Sequence, residues 1–135
     1  SDPGNVGTIF RTGLAFGFKN FVLGSECAGL YNFKTINAAK DSIFKLNIIK
    51  DDDGSWLKKE KGKLPIYAAN AQAGSNLEKI KFPKKFCLVL GSETHGLSAL
   101  ADNLVDKNFK IKISKDIEPL NVAVAAAIVF YRLNQ

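Results

Sequence analysis

Two uninterrupted apolar runs, Ile66–Ala69 and Cys87–Leu90, constrain the fold more than any other feature of the chain. Each is too short for a helix. Neither alternates apolar with polar residues, as a strand with one wet face does. Runs of this kind belong to strands covered on both faces, and such strands are parallel because crossover helices do the covering. Further short strands are expected at residues 21–23, ending at Gly24, at residues 46–49, and at residues 109–113, where apolar and basic residues alternate. Segments with helical spacing lie between them. The expectation is an α/β domain with a mostly parallel sheet and helices on both faces.

Residues 2–7 read as a turn, because Asp, Pro, Gly and Asn break regular structure. Residues 8–16 read as a helix with Ile9, Phe10, Leu14 and Ala15 facing the core, and residues 35–44 as a second helix. Residues 51–54 form a loop by composition. Residues 55–63 are a basic amphipathic turn or short helix around Trp56 and Leu57, and residues 98–105 another short helix. The last helix, residues 121–133, is apolar on almost every side. A helix of that kind is covered all round, which predicts that part of it packs against another subunit. Its longest apolar run, residues 122–131, falls well short of the roughly 18 residues that a membrane span requires.

At 135 residues the chain has the size of one domain with a real hydrophobic core. Its net charge of +6 suits a polyanionic partner. Lysines cluster at 58, 59, 61 and 63, at 79, 81, 84 and 85, and at 110, 112 and 115; the third group is expected to contact such a partner, while solvated faces explain the first two equally well. Cys27 and Cys87 stand far apart and there is a single histidine, which argues against a zinc cluster and against a disulfide scaffold. Reduced core cysteines imply a reducing setting, cytoplasmic or the matrix of an organelle. The chain has no methionine and opens at Ser1, so a fragment or trimmed product is expected.

Three loops carry candidate chemistry. In the first, Asn5, Gly7 and Arg11, a glycine lets backbone approach a ligand, and a helix starting there aims N–H groups and a positive dipole end outward. Arg11 lies one turn along on the face of Gly7, giving a clamp for a phosphate or another anion; a helix cap followed by a surface arginine explains the same residues. In the second, the strand ending at Leu90 runs into Gly91, Ser92, Glu93, Thr94, His95 and Gly96. That order places a carboxylate at the carboxyl end of a parallel strand, where α/β proteins hold ligands. It is not a dinucleotide fingerprint, and a loop with glycines for sterics is the plainer alternative. In the third, a strand ends near Ile111, a short loop follows, and Asn121 opens a helix in which alanines 123, 125, 126 and 127 permit close backbone approach.

Order and spacing say more than any single loop. Asp-Pro-Gly-Asn-Val-Gly-Thr-Ile-Phe-Arg-Thr from Asp2 resembles motif 1 of the SpoU/TrmH RNA 2′-O-ribose methyltransferases of the SPOUT superfamily. Leu-Val-Leu-Gly-Ser-Glu-Thr-His-Gly-Leu-Ser from Leu88 resembles motif 2, and Leu-Asn-Val-Ala-Val-Ala-Ala-Ala-Ile from Leu120 resembles motif 3. The resemblance covers nearly the whole chain. It implies a C-terminal deep trefoil knot, and S-adenosyl-methionine held largely through backbone atoms of Leu90, Gly91, Ile111, Ile113 and Leu120. It implies Arg11, Asn5, Glu93 and Asn121 as catalytic residues, methyl transfer to a ribose 2′-hydroxyl of tRNA or rRNA, and a homodimer formed through the knot and the last helix. A guanidinium holds its proton far too tightly to serve as a base. Arg11 is therefore expected to grip the neighbouring phosphate and stabilise the developing alkoxide.

Departures from the family pattern keep alternatives open. Pro119 stands where serine is common and removes a hydroxyl and an N–H; Asn37 stands where many relatives carry arginine, and Asp41 where many carry glycine. A strand normally precedes motif 1, and sequence choice in RNA is expected from an upstream domain. The alternatives are a catalytically weak or inactive dimeric RNA-binding scaffold, and an unrelated nucleotide- or phosphate-binding α/β domain.

Overall fold

The computed structural model of the chain describes residues 2–92 and 94–134. They form two compact units, one reaching to Asp53 and resuming at Ala123, the other running from Gly54 to Val122.

The first unit opens with helix α1, Pro3–Ala15. Asp2 caps it, accepting hydrogen bonds from the N–H groups of Gly4 (2.7 Å) and Asn5 (3.3 Å). Proline at the first helical position suits the fixed φ of its ring. The expected turn at residues 2–7 is thus the cap and first turn of the helix: the cap satisfies N–H groups that a break at Gly4 would strand. The buried side is Val6, Gly7, Phe10 and Gly13, whereas Ala15, expected in the core, is exposed.

Strand β1, Asn20–Gly24, pairs in parallel with β2, Asn47–Asp51, in register from Asn20 opposite Asn47 to Gly24 opposite Asp51. The Asn47 side-chain amide donates to Asn20 Oδ1 at 3.0 Å where the pair begins. Helix α2, Phe33–Ala39, is capped by Asn32. It stops because Lys40 takes φ 56°, and a 3-10 turn, Lys40–Phe44, follows. The single helix expected over residues 35–44 is therefore two pieces. Val6, Phe10, Leu23 and Ala39 make the core, with Phe10 edge-on to Phe21 at 5.2 Å. Phe130, on the closing helix, packs on Phe18 at 4.8 Å.

The second unit is built on a three-stranded parallel sheet in the order β4-β3-β5, with β3 Ile66–Ala69, β4 Cys87–Leu90 and β5 Lys107–Phe109. The two apolar runs are the predicted parallel strands, side by side. Strand β5 ends at Phe109, so residues 111–113 lie in an irregular loop instead of the expected strand. Helices α3, Ser55–Glu60, and α4, Ala99–Leu104, belong to this unit, and Ser98 caps α4. Tyr67, Phe82, Phe86 and Phe109 stack in one aromatic cluster. Asp106 ties the start of β3 by accepting from Ile66 N–H at 2.8 Å and from Lys61 Nζ at 2.7 Å.

The last helix, α5, Val122–Leu133, buries Ala123, Ala126, Val129 and Phe130 and leaves Val124, Ile128 and Tyr131 exposed. Among the described residues the fold is α/β with its strands paired in parallel, in two sheets instead of the expected one. Among the described residues, no helix is long and apolar enough to cross a membrane.

Candidate functional site

The second unit brings two of the three loops to one end of its sheet. Leu90 of β4 and Phe109 of β5 both register with Ala69 of β3. They flank that strand one spacing away on each side, roughly 10 Å from each other. All three strands run the same way, so Gly91, Asn70 and Lys110 leave the sheet at its carboxyl end, where parallel sheets present ligand sites. Lys110 is pinned there: its N–H donates to Ser75 C=O and its C=O accepts from Leu77 N–H, both at 2.8 Å. Ile111 follows directly.

After Gly91 the chain closes on itself. Ser92 and Gly96 exchange N–H···O bonds of 2.9 Å each, and His95 N–H donates to Ser92 Oγ at 3.0 Å. Gly96 takes φ +66°. A methyl group at Gly91 would lie 2.6 Å from Gly96 O and 2.7 Å from Leu97 N. Glycine is thus demanded at 91 by the closure of its own loop. Glu93, read from the sequence as a site carboxylate, lies outside the described residues. His95, weighed as an acid or base, is exposed, with Nδ1 2.9 Å from Thr94 Oγ1.

Several main-chain groups that the sequence singled out carry no hydrogen bond among the described residues. Gly91, Ile111 and Leu120 are half-buried. Among the described residues, no hydrogen bond engages their N–H or C=O groups, nor those of Ile113. Among the described residues, Asn76, which bridges to Lys110, and Asn108 on β5 each bury a side-chain oxygen with no hydrogen-bond partner. Such uncommitted polar groups are costly unless something pairs with them. Leu90 ends β4 half-buried, Ile113 is exposed, and Asn121 is exposed just before α5. A separate cavity of about 360 Å³, lined by Gly62, Lys63, Leu64, Pro65 and Asp106, opens at the amino end of the sheet, away from these groups.

Asn5 and Arg11 belong to α1 in the first unit. The reading of Gly7 as a point of ligand approach is corrected. A methyl group there would strike the Thr35 carbonyl oxygen and lie 2.7 Å from Ala38 Cβ, so Gly7 lets α1 and α2 meet. The helix begins four residues earlier, and no free N-terminus sits at Gly7. At about 100° per residue, Arg11 is turned roughly 120° from Asn5 around the axis, so the two do not share one face. Arg11 is exposed and Asn5 half-buried. Arg11 lies within electrostatic reach of Asp41, whose carboxyl is held below its ordinary range chiefly by a hydrogen bond from Lys45, then by that lysine's charge, and least by Arg11.

Tyr31, Phe33 and Phe44, which no motif in the sequence singles out as functional, are exposed. The available signal was aromatic residues beside Asn32, Lys34 and Lys45, without the periodicity of a buried face.

The model of the SpoU rRNA Methylase family matches residues 1–131. The chain is 35% identical, over 98% of its length, to the 23S rRNA (guanosine(2553)-2′-O)-methyltransferase RlmP of Bacillus subtilis. It is 35% identical, over 96%, to ribosomal RNA small subunit methyltransferase G 2 of Syntrophobacter fumaroxidans. It spans 54% of the first of these relatives and 25% of the second. A TrmH-family structure from Porphyromonas gingivalis superposes with a TM-score of 0.88 at 30% identity, covering 97% of this chain and 54% of that one. The SpoU methyltransferase AviRb of Streptomyces viridochromogenes, solved with AdoMet, shares the fold at a TM-score of 0.90 and 23% identity, covering 98% of this chain and 53% of that one.

Proposed function

Because the chain belongs to the SpoU rRNA Methylase family, we propose that it transfers a methyl group from S-adenosyl-methionine to a ribose 2′-hydroxyl of rRNA or tRNA. The observation that carries this reading is the pair of loops at the carboxyl end of β4 and β5, where Gly91 and Ile111 offer main-chain groups committed to nothing else among the described residues. The name of the Bacillus subtilis relative, a 2′-O-methyltransferase, supports the reaction class. The AdoMet complex of the AviRb structure supports the cofactor.

S-adenosyl-methionine, when bound, supplies the electrophilic methyl group. Leu90, Gly91, Ile111, Ile113 and Leu120 hold it in this proposal, through backbone N–H and C=O groups, which explains why apolar residues and glycine serve at these positions. Arg11 grips the phosphate beside the target ribose and offsets the charge that develops on the 2′-oxygen. Asn5, Glu93 and Asn121 are proposed as further polar groups of the site from the resemblance alone. The exposed face of α5, with Val124, Ile128 and Tyr131, is proposed as the centre of a homodimer, and the C-terminal part of the chain as a deep trefoil knot. Residues 1–135 act as one methyltransferase domain in this reading. A location in the cytoplasm or an organellar matrix goes with the RNA substrate.

Calorimetry with S-adenosyl-homocysteine, followed by transfer of labelled methyl to bulk rRNA and tRNA with nucleoside analysis, tests the proposal. Binding together with a labelled 2′-O-methyl nucleoside is expected. Arg11→Ala keeps S-adenosyl-homocysteine binding and loses methyl transfer. Absence of cofactor binding, or turnover that survives Arg11→Ala, contradicts it.

A further inference from the structure

We infer that the surface formed by Tyr31, α2 and the 3-10 turn after it binds unpaired RNA, with bases stacking on Tyr31, Phe33 and Phe44. Reading the polyanion as RNA rests on the proposed function; the surface itself rests on exposure and charge. Tyr31 is 85% exposed, Phe33 68% and Phe44 86%. Aromatic rings elsewhere in this unit are paired instead, Phe10 with Phe21 and Phe18 with Phe130. Leaving three rings in water within one short segment forgoes the burial that aromatic side chains ordinarily gain.

Charge decides what covers them. Lys34, Lys40 and Lys45 interleave with the rings, and the lone acid of the segment, Asp41, is already paired with Lys45 at 2.9 Å. Phe33, Ile36 and Asn37 fall on one side of α2 by helical spacing, opposite the buried Thr35 and Ala39, and the exposed Lys40 follows directly at its end. Protein–protein interfaces are depleted in lysine at their centres, whereas single-stranded nucleic acid is held by aromatic platforms set in basic surroundings. Exposed α5, by contrast, shows Val124, Ile128 and Tyr131 with no lysine among them, which suits a second copy of the chain better. Lys40 also keeps a left-handed φ of 56° at the centre of the segment, a strained conformation for a lysine, and ends α2 there. Duplex RNA keeps its bases stacked and paired, so the rings favour single strands.

Fluorescence anisotropy tests the inference with a labelled single-stranded RNA and the same strand annealed to its complement. The single strand is expected to bind more tightly. Phe33→Ala and Phe44→Ala should each weaken it roughly fivefold to 150-fold, the loss carried by one stacked base. Lys34→Gln with Lys40→Gln should lower the slope of log affinity against log salt by about 0.7 per phosphate contact removed. This second pair keeps the test open should an aromatic variant fold poorly. Calorimetry with S-adenosyl-homocysteine should not change in any of these variants. Unchanged single-strand affinity in the Phe33→Ala, Phe44→Ala double variant overturns the inference, and continued methyl transfer by the wild-type chain would leave the proposed function standing. If sedimentation instead shows that the double variant turns a dimer into a monomer, the surface is a contact between copies and the inference is also overturned. Single-strand binding lost in the double variant, alongside a wild-type chain that fails to bind S-adenosyl-homocysteine, supports this surface while contradicting the cofactor reading.

Discussion

Gly7 on α1 lies directly against the carbonyl oxygen of Thr35 on α2, so close that even a methyl group would collide with it. The obstacle is backbone, with Ala39 N a further 2.8 Å neighbour of that methyl, and backbone cannot swing aside as a side chain can. Gly7→Ala is therefore expected to destabilise the fold by about 1–3 kcal/mol, the usual cost of overpacking. Urea unfolding measures it. An alanine variant as stable as the parent would mean that α1 and α2 are not held at this distance.

Asp106 makes the electrostatic counterpart in the second unit. Its carboxyl is held below the usual carboxylate range, first by the hydrogen bond from Lys61, then by the Ile66 N–H, with the Lys61 charge adding a smaller part. A carboxyl whose folded pKa is depressed stabilises the fold above its unfolded pKa of about 3.9, and the contribution fades as pH falls through the folded value. Both side chains are partly exposed, so solvent reduces the gain. Asp106→Asn should cost about 1 kcal/mol at neutral pH, and the difference from the parent should vanish in strong acid. Thermal unfolding across pH 2–7 reads the effect, and a difference that persists below both pKa values contradicts the assignment.

Cys87 opens β4 half-buried, and its thiol is pushed up to about 11 by burial, with the charge of Glu60 adding to the shift. The folded state then keeps this proton to higher pH than the unfolded chain does. Stability should accordingly fall as pH rises from about 9 towards about 11. At pH 8, iodoacetamide is expected to label Cys87 in urea but scarcely in the native protein. Equal labelling rates in the two states, read by mass spectrometry, would show that the edge of β4 is open.

How much of this was legible in the sequence depended on whether the signal was local. Ile66–Ala69 and Cys87–Leu90 were read correctly because a continuous apolar run has one common use in a parallel sheet. Pro3 and Gly4 misled because each breaks a helix interior, yet a helix start capped by Asp2 accepts both. The division of residues 33–44 turned on the φ of Lys40, and nothing in a lysine announces a left-handed conformation. Residues 109–113 alternate like a strand, but pairing with β3 ends at Phe109, a tertiary limit with no local mark. Within the candidate site, the end of β4 at Leu90 was found from the run before it. The role of Gly7 was not, since a glycine for helix packing and a glycine for ligand approach look alike until the neighbour is known.

Gly91 and Gly96 separate steric from conformational demand inside one loop. At Gly91 an added methyl meets main-chain atoms of Gly96 and Leu97, so Gly91→Ala must break the reciprocal Ser92–Gly96 hydrogen bonds that close the loop. At Gly96 nothing among the described residues stands within 4 Å of such a methyl, and the φ of +66° is what opposes a side chain. Gly96→Ala is expected to cost about 1 kcal/mol of stability, the usual penalty for a left-handed L-residue, while keeping the loop shut. If the backbone around Gly91 holds the cofactor, Gly91→Ala should lower S-adenosyl-homocysteine affinity at least tenfold, a difference of about 1.4 kcal/mol, with Gly96→Ala close to the parent. Calorimetry on the two variants decides the matter. Equal affinities in both would detach the closed loop after β4 from cofactor binding.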